Sequence, residues 1–203
     1  MAKLHFKYAT MNSGKSIDLI RTVYNYEENG FKVLVMKPEI DTKAGNNIQT
    51  RIGLERNVDI LIKQKSSILS LLKGKLKKVD AIFIDEVQFL SKKQIDELFT
   101  ISKVMDIPVI CYGLRNNFMM KSFEGSRRLL EIADVLEEFQ TLCSCGNIAR
   151  FVGRKHNGNF QRDGKEVVID GEAKYEYVPL CGKCYLKEVK KINFDNFFKK
   201  LDK

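Results

Sequence analysis

The sequence contains few of the residues that several common chemistries require. Only two of its 203 residues are histidines, His5 and His156, so histidine-based catalysis is poorly supplied. No apolar run reaches the roughly 18 residues that cross a bilayer, and the start MAKLHFKYA lacks the apolar core of a secretory signal. We therefore expect a cytoplasmic protein with no membrane partner. In that reducing compartment, five cysteines favour metal binding over disulfides.

The residues that are present describe a folded, basic chain. Hydrophobic residues make up 44% of it and charged residues 30%, which is typical of a globular protein. A chain of 203 residues has room for one domain, or for one domain and a small appendage. The net charge of +9 favours an anionic partner such as a nucleotide or a nucleic acid, although a solvated basic surface has the same composition.

Strand-like and helix-like segments alternate along the first two thirds of the chain. Apolar patterning predicts strands at residues 3–8, 31–36, 79–84, 107–112 and 134–142. Helical spacing predicts helices at 15–28 and 60–76. A third helix is predicted to follow the capping box at Ser91 and Gln94, and a fourth helical stretch ends at 133. The polar stretch 37–57 is expected to be a long loop. This alternation predicts a parallel sheet with helices on its faces.

The character of the chain changes after Leu142. Cysteines cluster there, glycine and charge increase, and the long apolar runs stop. We therefore predict an α/β domain at 1–142, a small second module at 143–186, and a lysine-rich C-terminal tail at 187–203 that forms a helix.

A phosphate-binding loop follows the first predicted strand. Residues 9–16, ATMNSGKS, match the P-loop pattern G-x-x-x-x-G-K-[ST], with Ala9 in place of the first glycine. Backbone N–H groups of such a loop surround phosphate oxygens at a helix N-terminus. Lys15 would reach the terminal phosphates, and Ser16 would offer its hydroxyl to Mg²⁺. The predicted phosphate-binding residues are Ala9, Thr10, Met11, Asn12, Ser13, Gly14, Lys15 and Ser16.

An acidic pair ends the apolar segment 79–84. Asp85 and Glu86 would then lie at the edge of an open α/β sheet where ligands bind. We predict that Asp85 holds Mg²⁺, directly or through water. Glu86 must point in another direction and would act as general base on the group that attacks the terminal phosphoryl. If that group is water, the protein is an ATPase; if it is a substrate hydroxyl, the protein is a kinase.

Four of the five cysteines form two close pairs. Cys143 and Cys145 are spaced C-x-C, and Cys181 and Cys184 are spaced C-x-x-C, which together suit a closed, tetrahedral, structural Zn²⁺ site. Reduced surface thiols or a disulfide are the alternatives, and a reducing compartment argues against the disulfide. The fifth cysteine, Cys111, lies in an apolar segment and is predicted to be a small core residue.

These motifs, in this order, resemble those of the type II thymidine kinases, the cellular and bacterial deoxynucleoside kinases with a zinc lobe. The resemblance covers about residues 3–185. It rests on TMNSGKS at 10–16, KPEIDTKAG at 37–45, TRIG at 50–53, IDEVQFL at 84–90, CYGLRNNFMMKSFEGS at 111–126 and YVPLCGKCY at 177–185. It implies an α/β fold in which a P-loop (RecA-like) parallel sheet is flanked by helices, with 143–186 as a small zinc-binding lasso domain.

The resemblance also implies transfer of the ATP γ-phosphate to the 5′-hydroxyl of thymidine, in nucleotide salvage for DNA synthesis. Glu86 falls on the family's proton acceptor, and Ser16 and Asp85 fall on its Mg²⁺ positions. Asp85 and Gln88 are implied to join the ATP-binding set. The implied nucleoside-binding residues are Met11, Arg51, Phe89, Leu114, Phe118, Phe123 and Tyr177.

Two further loops have family counterparts. Asp41 and Arg51 fall in the loop used around the phosphates and the substrate, where Lys43 stands at a position that is often arginine. Residues 155–178 correspond to the family's lasso, which covers thymine largely with backbone hydrogen bonds. The lasso tyrosine is Tyr177 when counted from Cys181, and Tyr175 when counted from Ile169.

Family membership would bring a homotetramer, feedback inhibition by dTTP, and no nucleic-acid partner. Two other functions fit the residues. A P-loop ATPase with a zinc ribbon, acting on nucleic acid, would use Glu86 to activate water. A nucleotide-binding regulatory protein without catalysis would be consistent with Ala9 in the P-loop.

Overall fold

The computed structural model describes residues 1–41, 45–166, 175–194 and 197. This part of the chain divides into two compact units. The first comprises residues 1–9, 14–115 and 122–139; the second comprises 10–13, 116–121 and the described residues from 140 onward. The predicted domain boundaries at 142 and 186 stay predictions. Within the described ranges, no helix is both long and apolar enough to cross a membrane.

The first unit alternates strands and helices. Its strands are β1 (Leu4–Ala9), β2 (Val33–Pro38), β3 (Asn47–Gln49), β4 (Glu55–Asn57), β5 (Ile60–Ile62), β6 (Ala81–Ile84), β7 (Val109–Leu114) and β8 (Val135–Glu138). Its helices are α1 (Lys15–Glu28), α2 (Ile68–Leu71), α3 (Lys92–Val104) and α4 (Glu124–Ile132). Six strands form one parallel sheet in the order β5-β2-β6-β7-β1-β8. The predicted α/β class with a parallel sheet is confirmed.

Both faces of this sheet are covered by apolar side chains. In β6, Ile82 and Ile84 belong to one buried cluster, and Ala81 and Phe83 belong to the other. The first cluster also contains residues of α3 and α4, and the second contains residues of α1. The alternation follows from the two-residue period of a strand, and burial on both faces explains why β6 is apolar throughout.

The chain order brings the ends of three strands to one edge of the sheet. β7 lies between β1 and β6, with Ala9 beside Leu114 and Ile84 beside Cys111. The loop before α1 follows β1, and the acidic pair follows β6. The parallel topology therefore places these two motifs at the same carboxyl edge, where open α/β sheets bind ligands.

The second unit is mainly antiparallel. Its elements are β9 (Thr141–Leu142), β10 (Ile148–Ala149), β11 (Phe151–His156), β12 (Asn159–Phe160), β13 (Tyr175–Leu180) and α5 (Gly182–Cys184), followed by a π-helical turn at Tyr185–Val189. β9 pairs with β10, and the other three strands form a sheet in the order β12-β11-β13. The small core of this unit contains Cys143, Cys181 and Tyr185. Of the tail predicted as a helix at 187–203, residues 187–189 belong to this π-helical turn, and residues 195, 196 and 198–203 lie outside the described residues.

Several local predictions are confirmed. The helix predicted at 15–28 has those bounds, with Asn29 as its C-cap and Gly30 at φ 80°. Ser91 and Gln94 form a capping box at the start of α3. Cys111 is fully buried in β7, as expected of a core residue.

Three predictions are wrong, in each case because strand pairing decides the local structure. Residues 60–76 are not one helix, because Ile60 and Ile62 pair with β2 and only 68–71 are α-helical. The expected loop 37–57 contains the β3–β4 hairpin, which turns at Gly53. The strand predicted at 134–142 breaks in two, because β8 pairs with β1 and β9 pairs with β10.

The capping box yields a stability prediction. Ser91 Oγ accepts the Gln94 N–H at 3.3 Å, and Gln94 Oε1 accepts the Ser91 N–H at 3.0 Å. We expect Ser91→Ala to lower the free energy of unfolding by about 1 kcal/mol, measured by urea denaturation. Ser91→Asp retains an N-cap acceptor and should lose much less. Equal stability of Ser91→Ala and the parent protein would contradict this role.

Candidate active site

The phosphate loop joins β1 to α1. Gly14 adopts the left-handed conformation with φ 82°, and a Cβ there would meet no atom within 4 Å, so backbone strain rather than space favours glycine. Ala9, which replaces the first glycine of the motif, is the last residue of β1 and pairs with Leu114. Because its backbone is extended, a Cβ is tolerated at this position.

Buried charges of opposite sign meet after this loop. Lys15, in the first turn of α1, is 8% exposed, and Asp85, directly after β6, is 4% exposed. Ser16 Oγ donates to Asp85 Oδ2 at 3.3 Å. Burial lowers the pKa of Lys15, and the negative fields of Glu86 and Asp85 oppose that shift. The structure therefore brings together the lysine, the serine and both acids that the sequence predicted.

The environment of Asp85 disfavours a negative charge on its carboxyl group. Burial, followed by the field of Glu86, raises the pKa of Asp85 to about 7, although the Glu86 N–H and Lys15 oppose the rise. The charge of Asp41 also raises it. A divalent cation would compensate for lost hydration and acid–acid repulsion, so an oxygen set containing Ser16 and Asp85 fits Mg²⁺ chemically.

Glu86 differs from Asp85 in backbone conformation and in burial. It adopts the left-handed conformation, with φ 49° and ψ 36°, which is strained for a residue with a Cβ. Its N–H donates to Asp85 Oδ1 at 3.0 Å, and its side chain is half-buried rather than enclosed. Consecutive acids thus occupy different environments: Asp85 lies against Ser16, while Glu86 stays accessible at the edge of the sheet.

A buried salt bridge that the sequence analysis did not assign stands at the end of β2. Lys37 is fully buried, with Nζ 3.1 Å from Asp41 Oδ2 and 2.9 Å from the carbonyl oxygen of Asn47. It ties the segment after β2 to the start of β3 and holds the Asp41 carboxylate within electrostatic range of Asp85. The only sequence signal was a lysine ending an apolar strand.

The predicted nucleoside residues are distributed over both units. In the first unit, the rings of Phe89 and Phe123 meet edge to face with centroids 5.9 Å apart. The Leu114 N–H donates to Gln88 Oε1 at 3.0 Å. Arg51 is exposed in the turn between β3 and β4. The second unit contains Met11, Phe118 and Tyr177.

A buried arginine organises the aromatic residues of the second unit, and sequence reasoning missed it. Arg154 of β11 is 2% exposed, with its guanidinium carbon 3.6 Å from the ring centroid of Phe118 and 5.1 Å from that of Tyr175. It donates to the Gln161 side chain and to the Lys165 carbonyl, both at 2.7 Å. A charged residue opposite a tyrosine in a short strand was its only sequence signal.

The two candidate lasso tyrosines lie on the same face of β13. Tyr175 faces His156, with ring centroids 5.1 Å apart, and Tyr177 pairs in register with Arg154. The predicted preference for Tyr177 stays a prediction. Lys43 and residues 167–174 of the predicted lasso lie outside the described residues.

The four paired cysteines converge in the second unit. Their sulfur atoms all lie within 4.8 Å of one another, and the Sγ atoms of Cys145 and Cys181 are 3.5 Å apart. A tetrahedral zinc–thiolate site, with bonds of about 2.3 Å, places its sulfurs about 3.8 Å apart. The spacing fits shared metal ligation and is too long for a disulfide, whose sulfurs are about 2 Å apart.

The electrostatics of the cluster also favour a cation. Backbone and side-chain hydrogen bonds from Asn147 lower the pKa of Cys145 to about 6. Hydrogen bonds with Cys145, Cys181 and Cys143 raise the pKa of Cys184 to about 12. A divalent metal would compensate for the negative charge of neighbouring thiolates and allow all four cysteines to bind it as thiolates.

Comparison with known proteins decides the family. The family model described as "Thymidine kinase" matches residues 2–185. The chain belongs to the thymidine kinase family. The predicted resemblance to the zinc-containing thymidine kinases is thereby confirmed at the level of the family.

Individual relatives match over nearly their whole length. A thymidine kinase of Photorhabdus laumondii is 42% identical over 193 residues, covering 93% of this chain and 94% of that protein. One of Francisella tularensis subsp. holarctica is 39% identical, covering 90% and 96%. One of Streptococcus gordonii is 39% identical, covering 92% and 97%. The family match therefore includes both units.

The contacts of Arg154 with the rings of Phe118 and Tyr175 yield a stability prediction. Arg154→Met removes two hydrogen bonds and the ring contacts from a site with little exposure. We expect the free energy of unfolding to fall by roughly 2 kcal/mol, measured in guanidinium chloride. The exposed Lys187 supplies the control, because Lys187→Met should change stability by less than about 0.5 kcal/mol. Equal losses in both variants would contradict a structural role for the stack.

The cysteine cluster predicts a bound metal. We expect elemental analysis of the purified protein to find about one metal ion per chain, according to the four-ligand rule. Cys184→Ser should lower that content, and Cys111→Ala should preserve it because Cys111 lies outside the cluster. A native protein with no metal and four freely titratable thiols would refute the site.

Proposed function

We propose that this protein transfers the γ-phosphoryl group of ATP to the 5′-hydroxyl of thymidine. The relatives named thymidine kinase support the substrate class. One observation carries the chemistry: Asp85 is buried against Ser16, while the adjacent Glu86 is half-buried and accepts a hydrogen bond from Gln88. Two neighbouring acids can then perform different tasks, one at the donor phosphates and one at the acceptor.

The donor would be held by the phosphate loop and α1. Backbone N–H groups of residues 9–16 bind the phosphate oxygens, and Lys15 pairs with the terminal phosphates. Ser16 and Asp85 would hold Mg²⁺, which, when bound, neutralises charge on the donor phosphates. Lys15 is already desolvated, so its ammonium attracts phosphate strongly without first losing a hydration shell.

Glu86 would act as the general base. As the thymidine 5′-oxygen bonds to the γ-phosphorus, its proton passes to the Glu86 carboxylate. The bond from the γ-phosphorus to the bridging oxygen breaks, and its electron pair stays on ADP. The products are thymidine monophosphate, ADP and a protonated Glu86 that later returns its proton to solvent.

Nucleoside binding is proposed from the family positions. The edge-to-face pair Phe89 and Phe123, together with Leu114, supplies an apolar surface in the first unit. In the second unit, Met11, Phe118 and Tyr177 take the corresponding role, with the Phe118 ring fixed by Arg154. Aromatic faces stack on a base, and a hydrogen-bonded thymine edge gives selectivity. Arg51 is assigned to the substrate loop on the resemblance alone.

We propose Zn²⁺ as the metal of the cysteine cluster, in a structural role. Four sulfur ligands leave no open coordination position for catalysis, and zinc prefers thiolates in a tetrahedron. The site would link the turn after β9 with the end of β13, on either side of the predicted lasso. Inhibition by dTTP and assembly into a homotetramer are proposed from the family resemblance.

The reaction is tested by measuring ADP release with and without thymidine. We expect ADP formation to depend on thymidine, and Glu86→Gln to lower kcat by roughly 10² to 10⁴-fold, the usual contribution of a general base. The exposed Glu28 of α1 provides the control, since Glu28→Gln should leave kcat unchanged.

Two outcomes would contradict the proposal. ADP release that ignores thymidine but rises with nucleic acid would favour a P-loop ATPase. Undiminished turnover in Glu86→Gln, with thymidine still required, would leave the kinase in place and remove the assigned base.

A further inference from the structure

Gln88 bridges two parts of the site. It lies in the 3-10 turn Val87–Phe89 that follows the acidic pair, and it is 2% exposed. Its Nε2 donates to Glu86 Oε2, and its Oε1 accepts the Leu114 N–H at 3.0 Å. One buried amide thus connects the proposed base to the carboxyl end of β7.

Hydrogen-bond polarity fixes the orientation of this amide. The Leu114 N–H can only donate, so the oxygen of Gln88 must face it. The NH₂ group is therefore directed to Glu86, and an ionised carboxylate can only accept. The backbone N–H of Leu114 alone determines which end of the Gln88 amide carries the oxygen. The buried amide therefore offers Glu86 a hydrogen-bond donor, which is a partner that the carboxylate of a general base can use.

Two glycines leave Gln88 little room to move. A Cβ on Gly113 would lie 2.7 Å from Gln88 Oε1 and 2.9 Å from Val87 Cγ1. A Cβ on Gly125, in the first turn of α4, would lie 2.6 Å from the Val87 carbonyl oxygen and 2.8 Å from that of Leu90. β7 and α4 therefore press directly on the turn, and both glycines are required by close approach rather than by backbone angle.

The left-handed backbone of Glu86 completes the arrangement. Glu86 starts the 3-10 turn that contains Gln88. The side chains of these two residues, which are two positions apart in the sequence, are hydrogen-bonded to each other. A glutamate at a half-buried edge would otherwise sample several rotamers. A charge-assisted hydrogen bond from a buried, clamped amide limits that freedom.

We propose that Gln88 is a positioning residue that holds the Glu86 carboxylate ready to accept a proton. This inference rests on the proposed function, in which Glu86 is the base. It replaces the ATP-binding role that the family resemblance implied for Gln88, because both ends of the amide already have protein partners. Gln88 acts through Glu86 and does not itself contact the reacting atoms.

A double-mutant cycle tests the inference. The variants are Gln88→Met, which keeps length and volume without the amide, Glu86→Gln, and the double variant, with kcat and both KM values measured for each. We expect Gln88→Met to lower kcat roughly ten- to a hundredfold, as the loss of a hydrogen bond to a charged group would do. Its KM for ATP should stay within about twofold. In the Glu86→Gln background, the same change should have little further effect on kcat.

The controls separate positioning from folding. Gln64→Met changes an exposed glutamine before α2 and should leave kcat and both KM values unchanged. Thermal melting of every variant reports its folding. If Gln88→Met does not fold, Gln88→Asn replaces it in the cycle, because it keeps the amide but is too short to span from Leu114 to Glu86.

Each other outcome is decisive. A raised KM for ATP with an unchanged kcat would overturn the inference and return Gln88 to the donor site. An equal loss of kcat in both backgrounds would also overturn it, because the effect would then not pass through Glu86. An unchanged kcat in Gln88→Met, with a lowered kcat in Glu86→Gln, would overturn the positioning role of Gln88 but leave the proposed base in place. An unchanged kcat in Glu86→Gln would refute the proposed base itself.

Discussion

The site depends on charges that are kept out of water at the carboxyl edge of the parallel sheet. Burial opposes ionisation of both Lys15 and Asp85, lowering one pKa and raising the other, and the attraction between them offsets part of that cost. Asp41, held by the buried Lys37, adds a further negative charge. Phosphates and a cation can complete such a set because they bring the missing charges with them.

Backbone conformation places the two adjacent acids in different environments. Asp85 ends a strand buried on both faces, and Glu86 starts a left-handed turn. The strain of that turn is held by packing at Gly113 and Gly125, where β7 and α4 approach closer than any Cβ would permit. Stability and chemistry are linked here, since the contacts that hold the turn also hold Gln88 against Glu86.

The second unit combines apolar packing with polar contacts. Among its described residues, the buried members of the apolar cluster are Cys143, Ala149, Leu180, Cys181, Tyr185 and Val189, and small cores commonly need a metal or cross-links. Arg154 adds a buried guanidinium between aromatic rings, and the Tyr185 hydroxyl donates to the Phe118 carbonyl at 2.6 Å. Phe118 is therefore contacted at two points: Arg154 packs on its ring, and Tyr185 donates a hydrogen bond to its carbonyl.

The sequence alone determined what depends on neighbours along the chain. Helix α1, the capping box of α3, the apolar strand β6 and the spacing of the cysteines are local patterns, and so are the motifs that identify Lys15, Asp85 and Glu86. Tertiary structure decided what depends on distant partners. The pairing of β5 with β2 overrode a helical pattern, and the Leu114 N–H set the direction of the Gln88 amide. Periodicity records which side chains avoid water, whereas only packing determines which group meets which.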